Sequence, residues 1–354
     1  MYNRRHTGVN IEYGDMKINF VARKELSKWP DIDHLSDGSV DANFNRFRGA
    51  ASNWIIQTFL ILKPHLIARG FDLRVSERFI PGEICICHRD DLNKLSGAWN
   101  SFVVCARADR PAPLVANVVV LQNELEVNRT SNAFFIPHWP QPGLIRRNRA
   151  RGPLIGSAAY FGHDWSIPEW LRSGGRLSQS LGALGISYHL QNKVWNDYEN
   201  VDIALAFRDE ADIVLEQKPA TKVTNAWLAG VIPIVYPEPE YARVVRHGVN
   251  GFLAHSFRET VDWIKLLARS PEYVTTIQRA ASDASVTFSR DHIIDKWVDL
   301  LTQEVKPSYQ VWLRRDGRFN RFFGYLSNYR SQRQNERLFY KTKQLQLEQI
   351  ALKI

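Results

Sequence analysis

The stretch "EQKPATKVTNAWLAGVIPIV", residues 216–235, decides the fold. Lys218 and Lys222 flank a proline and a threonine, small and apolar residues follow, and after Gly230 comes the β run Val231–Val235. A glycine just past an apolar helical pattern is a helix stop signal. An apolar run without polar alternation is what a strand covered on both faces looks like, as in a parallel sheet wrapped by helices. The lysines pose the chemical question. A helix N-terminus already favours anions, so two ammonium groups there are either solvated or gathered around an anion.

Units of the same kind extend outward in both directions. Downstream of residue 153 come "LIGSAAYFG" (154–162), a helix expected from about Pro168 to Leu184, "GISYHL" (185–190) and "VDIALAFR" (201–208). After the opening stretch follow a short helix around Tyr241 to His247, "GFLAHS" (251–256), and helices from Arg258 to Leu301. The first half holds "MKINFVAR" (16–23), a helix "ASNWIIQTFLILKPHLIARG" (51–70) stopped by Gly70, then "FDLRVSE", "EICICH", "FVVCARAD", "ANVVVLQN" and "AFFIPHW". Between the halves, 140–153 is rich in proline, glycine and arginine and cannot run as helix or interior strand, so it reads as a hinge. The expected fold is α/β: two Rossmann-like domains, 1–139 and 154–288, facing a cleft, with further helices to residue 354. The carboxyl ends of both sheets should face that cleft.

Bulk properties agree with two globular domains. The chain has 354 residues with 44% hydrophobic content, and no apolar run approaches the ~18 residues of a membrane span. The first fifteen residues lack an apolar signal core. The three cysteines, Cys85, Cys87 and Cys105, sit in β-like runs and read as buried thiols of a reduced cytosol, so the expected location is cytoplasmic. The net charge of +9 is concentrated at the end: from Gln303 onward eleven lysines and arginines oppose four acids. That basic segment, 306–354, carries interleaved aromatics and a leucine row, Leu338, Leu345 and Leu352, and reads as an amphipathic helical tail. It is expected either to pack as a helical extension on its own protein or on a sister subunit, or to touch the inner face of an anionic membrane. Nucleic acid is not the expected partner.

The second domain gathers the candidate anion site. Gly162 ends one strand, Arg208 ends another, and Lys218, Thr221 and Lys222 open the next helix, with Pro219 near its first turn. Three cations and a helix mouth at strand ends fit a diphosphate.

On these residues a resemblance can be stated. "KPATKVTNAWLAGVIPIVYPEPEYARVVRHGVNGFL" (218–253) resembles the donor-binding segment of bacterial GT-B glycosyltransferases, of the kind grouped in families 1 and 4. "DYENVDIALAFR", "FIPHWPQPGLI" and "DHIIDKWVDLL" are similar too, so the likeness spans most of residues 100–302. The resemblance implies a transferase that moves a sugar from a nucleotide-diphosphate sugar to a carbohydrate or lipid-linked glycan, in cell-surface polysaccharide synthesis. The first domain would take the acceptor and the second the donor, and the helix at 289–305 would cross back to the first domain. Lys218 and Lys222 would neutralise the diphosphate, Thr221 would donate to it and Arg208 would clamp it, stabilising the leaving group without a metal and without a cofactor.

Where the commonest retaining members carry two glutamates, this sequence has Gln217 and Asn225, which leaves retention or inversion open. Asn225 remains a candidate for a donor hydroxyl, as do Glu238, Glu240 and Tyr241. Tyr188, Trp195, Asp197 and Tyr198 lie where a nucleobase rests in the family. On the acceptor side, Arg107, Asp109, Asn123 and His138 sit at strand ends, and Arg48 opens the first helix. An inverting enzyme needs a general base, and Asp109 and His138 are the first candidates, ahead of Asp33 and His34. The rival readings are a GT-B nucleotide-sugar epimerase, a DNA-modifying glucosyltransferase and a non-catalytic sugar-binding protein.

Overall fold

The structure is a computed structural model, which describes residues 16–23, 26–47, 51–93, 96–164, 167–315 and 317–351. Arg48 and Leu352 lie outside the described residues. Two all-parallel sheets organise the chain. The first has six strands, β1 (Met16–Val21), β2 (Phe71–Ser76), β3 (Ile84–His88), β4 (Phe102–Ala106), β5 (Val118–Leu121) and β6 (Ala133–Phe135), in the order β2-β1-β3-β4-β5-β6. The second has five, β7 (Ser157–Phe161), β8 (Ser187–Gln191), β9 (Ile203–Ala206), β10 (Ile232–Val235) and β11 (Phe252–Leu253), in the order β11-β10-β9-β7-β8. The helices are α1 (Gly38–Ala42), α2 (Ala51–Ile67), α3 (Arg176–Gly182), α4 (Asp212–Leu215), α5 (Thr221–Ala229), α6 (Pro239–Val244), α7 (Phe257–Arg269), α8 (Pro271–Ser285), α9 (Arg290–Asp299), α10 (Lys306–Arg315) and α11 (Arg318–Ala351).

The central strands are covered on both faces, as their sequences imply. Every residue of β3, β4, β5, β7, β9 and β10 is buried, and this burial of apolar surface drives each lobe's assembly. The three cysteines are buried and free. Gly70 (φ +77°) and Gly230 (φ +76°) stop α2 and α5 in the left-handed conformation. In place of one helix over 168–184 there is a 3-10 turn at Glu169–Leu171 and then α3. The break falls at Gly174 and Gly175: Gly174 takes φ +73°, and a Cβ at Gly175 would lie 2.9 Å from the carbonyl oxygens of Glu169 and Arg172.

The segment 140–153 is anchored to the second lobe rather than free. Asp202, fully buried, accepts from Arg147 and Arg151 and from the backbone of Gly156 and Ser157, so two of the arginines there are structural. The far end of the chain returns to the first lobe, where Ile293, Trp297 and Leu301 enter the core that also contains Ile55 and Phe59 of α2.

The tail is helical and packs on its own chain. α11 docks through polar and aromatic side chains: Tyr325 reaches Ser96 at 3.2 Å, Glu336 pairs with buried Arg89, and Gln346 Oε1 accepts from the Ile213 amide of α4 at 3.0 Å. It therefore touches both lobes. Of the leucine row, Leu338 is 57% and Leu345 50% exposed. No helix among the described residues is long and apolar enough to cross a membrane.

Candidate active site

A cavity of about 410 Å³ lies between the lobes, against the C-terminal ends of β7 and β9 and the N-terminus of α5. Ala220, the N-cap residue of α5, has no side-chain acceptor to offer the helix's first amides. Lys218, Thr221 and Lys222 line the cavity with Arg208, which follows β9. From the first lobe come Ala108, Asp109 and His138. The sequence-predicted cations are thus brought together.

Each cation is held differently. Burial works against the charge of Arg208, but Tyr241 and Glu238 outweigh it and hold its pKa above the ordinary value. The guanidinium donates to Glu238 and, at 3.0 Å, to the Tyr241 hydroxyl. Those two residues are fully buried behind it, so they aim Arg208 rather than reach a ligand themselves. Lys222 donates to Tyr160 Oη at 2.7 Å and lies 3.9 Å above its ring. Burial and the neighbouring Arg208 push its pKa well below the usual range, which leaves it short of an anionic partner. Gly162 (φ +147°) makes room: a Cβ there would sit 3.1 Å from the Lys222 ammonium. Its own amide donates to Gln191 O at 3.0 Å. Lys218 pairs across the cleft with Asp109.

Two buried polar atoms of residues lining this cavity have no hydrogen-bond partner, Thr221 Oγ1 and Trp195 Nε1. Such atoms cost free energy unless a ligand satisfies them. Thr221 Oγ1 is at the mouth of α5, and Trp195, beside Tyr198 in the wall, turns its ring edge-on to His163 at 5.0 Å.

Asp109 is aimed by strain. Ala108 takes φ +52°, rare for a residue with a Cβ, and its amide is fixed on Gln122 Oε1 at 2.8 Å. Burial would raise the Asp109 carboxyl, but Lys218 and then Arg110 outweigh it and bring its pKa down to about 2. His138 Nδ1 lies 3.0 Å from Trp139 O. A carbonyl only accepts, so Nδ1 carries the proton in the neutral ring and Nε2 keeps its lone pair. Burial lowers the pKa of His138, keeping that ring neutral near pH 7.

Four expected site residues lie elsewhere. Arg107 is buried and donates to Glu126 and to Arg110 O, because Glu126 meets it under β5 rather than in the cleft. Tyr188 points its hydroxyl at Leu171 O, in the second lobe's core. Glu240, expected toward the donor or exposed in the turn, is buried against Arg243, which also reaches Glu124 of the first lobe at 2.6 Å. Asn123 ties the lobes instead of facing an acceptor, donating to Glu216 O (2.9 Å) and Lys218 O (3.1 Å). Asn225 lines the cavity, its Oδ1 accepting from the Gln141 amide at 3.2 Å. Tyr160, Arg110 and Glu210 escaped the sequence reading. Tyr160 carries a signal, the register of a buried strand that ends at Gly162, whereas Arg110 and Glu210 resemble any loop charge.

No protein-family profile matches the sequence, and no curated protein matches it. Solved structures do match in fold. The Anabaena protein HepE in complex with UDP and glucose superposes with a TM-score of 0.50 at 14% identity, over 81% of this chain and 100% of that one. TarM gives 0.45 at 10% identity over 62% and 55%. The pneumococcal O-GlcNAc transferase GtfA, in complex with UDP and GlcNAc, gives 0.43 at 12% over 67% and 58%. With its two parallel sheets facing one cleft, the chain has the GT-B fold.

Proposed function

We propose that this protein transfers a sugar from a nucleoside-diphosphate sugar to a carbohydrate or lipid-linked glycan, in the synthesis of a cell-surface polysaccharide. The observation that carries the reading is the joint presence of Arg208, Lys218, Lys222 and the α5 N-terminus in one interlobe cavity. As the bond to the sugar breaks, negative charge grows on the departing diphosphate, and preorganised cations stabilise that charge more than the ground state. Arg208, braced by Glu238 and Tyr241, is the fixed clamp; Lys222 gains the anion it lacks; Thr221 donates its hydroxyl. HepE, similar in fold, is described with UDP and glucose, which supports the same ligand class here. Trp195 and Tyr198 wall the place for the base. His138 Nε2, neutral and unprotonated, is the better proton acceptor for an acceptor hydroxyl than Asp109, which is ionised and held by Lys218. The proposed reaction needs no metal, so chelation with EDTA leaves turnover unchanged.

A thermal-shift screen with UDP, GDP, dTDP, ADP and CMP tests the reading: a ligand at 100 times its Kd stabilises by ~2.7 kcal/mol. Lys222→Ala should abolish that shift and keep the fold. Wild-type-like nucleotide affinity in Lys222→Ala contradicts the assignment, and donor turnover without acceptor favours an epimerase instead.

The exposed row on the tail supports peripheral contact with an anionic membrane. Phe319 (81% exposed), Phe323 (63%) and Leu338 stand beside exposed Arg330, Arg337 and Lys341. Because α11 also braces the lobes, the test is Phe319→Ser with Phe323→Ser rather than truncation. Loss of sedimentation with phosphatidylglycerol vesicles supports the contact, and unchanged sedimentation removes it.

A further inference from the structure

A second cavity, also about 410 Å³, lies beside the first along the C-terminal edge of the second sheet. The strand order explains the arrangement. The donor cavity opens over the ends of β7 and β9, and this one over the ends of β9, β10 and β11; Arg208 and Glu210, after β9, line both. Its walls are aromatic: Trp170 stands edge-on to Phe207 at 5.0 Å, and Tyr236, 37% exposed, is edge-on to His255 at 6.1 Å. Its roof comes from the far end of the chain, as Gln346, Gln349 and Ile350 of α11. Gln346 is fixed there by its bond to the Ile213 amide, and Lys343 pairs with Glu210 at 3.4 Å.

The chemistry of this lining selects a ligand class. Aromatic faces pack against the C–H faces of a pyranose, while carboxylates and carboxamides take its hydroxyls. Asp209 and Asp212 border the cavity beside Glu210, which Lys343 already answers, and Arg208, shared with the donor cavity, is engaged by Glu238 and, on the sugar-transfer reading, by the diphosphate, so the balance left on this wall is acidic. That balance repels phosphates and uronates and accepts a neutral, hydroxyl-rich molecule. The volume sits at the small end of ligand sites, enough for roughly two sugar rings. We propose that this cavity is an acceptor-side subsite for a neutral saccharide, held between the second lobe and α11 and opening into the donor cavity past Arg208 and Glu210. The proposal rests on the sugar-transfer reading, and it gives the C-terminal helix a place in acceptor selection.

The test is saturation-transfer NMR on the full chain with neutral tetraoses of glucose, galactose and N-acetylglucosamine. The nucleoside diphosphate identified by thermal shift is kept at saturation. At least one tetraose should bind, and Tyr236→Ala and Gln349→Ala should each weaken it about tenfold without altering nucleotide affinity. If no tetraose binds, if the variants bind as the wild type does, or if a uronate tetraose binds more tightly, the subsite is refuted while nucleotide binding still stands. If no nucleoside diphosphate binds the wild type, it is the sugar-transfer reading itself that fails.

Discussion

Asp109→Asn is expected to tighten nucleoside-diphosphate binding, although it removes a charged residue from the site. In the free protein Lys218 is already engaged by Asp109, so a diphosphate must compete for it. The lowering of the Asp109 carboxyl from its ordinary 3.8 to about 2 measures how strongly its surroundings favour the anion; at 1.36 kcal/mol per decade this is about 2 kcal/mol. Two deductions apply. The side chain is 26% exposed, and Arg110 shares the carboxylate at 2.8 Å, so on the order of 1 kcal/mol belongs to Lys218. Releasing that amount should tighten the Kd roughly fivefold. The assay is isothermal calorimetry on wild type, Asp109→Asn, Lys218→Ala and the double variant. Lys218→Ala should weaken binding, and in its background Asp109→Asn should bring no gain, the mark of a coupled pair. An unchanged or weaker Kd for Asp109→Asn, or an equal gain without Lys218, refutes the reasoning.

Three more outcomes follow from particular contacts. His138→Gln should cut turnover by about 10²–10⁴-fold with nucleotide Kd unchanged; because burial depresses the His138 pKa, the acid limb of the wild-type rate profile should fall below the ordinary 6.5, and a limb above it argues against this base. Asp202→Asn should cost about 3–5 kcal/mol in urea unfolding, since Arg147 and Arg151 lose a fully buried partner. Burial would raise the Asp202 carboxyl, but Arg151, the Gly156 amide and Arg147 lower it overall, so its stabilisation is complete above the ordinary 3.8 and is lost as pH falls below that; a wild-type acid-unfolding profile in Asp202→Asn would contradict this. Gly162→Ala should destabilise by about 1–3 kcal/mol from the left-handed backbone alone and weaken nucleotide binding by displacing Lys222, measured by thermal unfolding and calorimetry.

The sequence carried the parts governed by local rules. Glycine stops at Gly70 and Gly230 and strands without polar alternation define both lobes, because those signals arise from backbone sterics and burial on two faces. The gathering of Arg208, Lys218, Thr221 and Lys222 around one cavity was legible for a similar reason: strand end and helix mouth are neighbours in sequence. What escaped depends on distant partners. Arg107 and Arg208 look alike, each following a buried strand, and only Glu126 under one and the open cleft beside the other separate their fates. Glu240 was drawn to Arg243, which itself reaches Glu124 of the first lobe, and Asn123 to Glu216 O of the second, bridges between lobes that the sequence around them does not encode. The leucine row of the tail did not locate its docking, which runs through Tyr325, Glu336 and Gln346, contacts that hydrophobic periodicity ignores.

The most direct measurement is a crystal structure of the protein with a bound nucleoside diphosphate. The pyrophosphate is expected at the mouth of α5, with phosphate oxygens about 2.7–3.1 Å from Arg208, Lys222 and Thr221 Oγ1, and Lys218 turned from Asp109 toward it. A nucleotide bound elsewhere, with Lys222 still on Tyr160 and Lys218 still on Asp109, would contradict that placement.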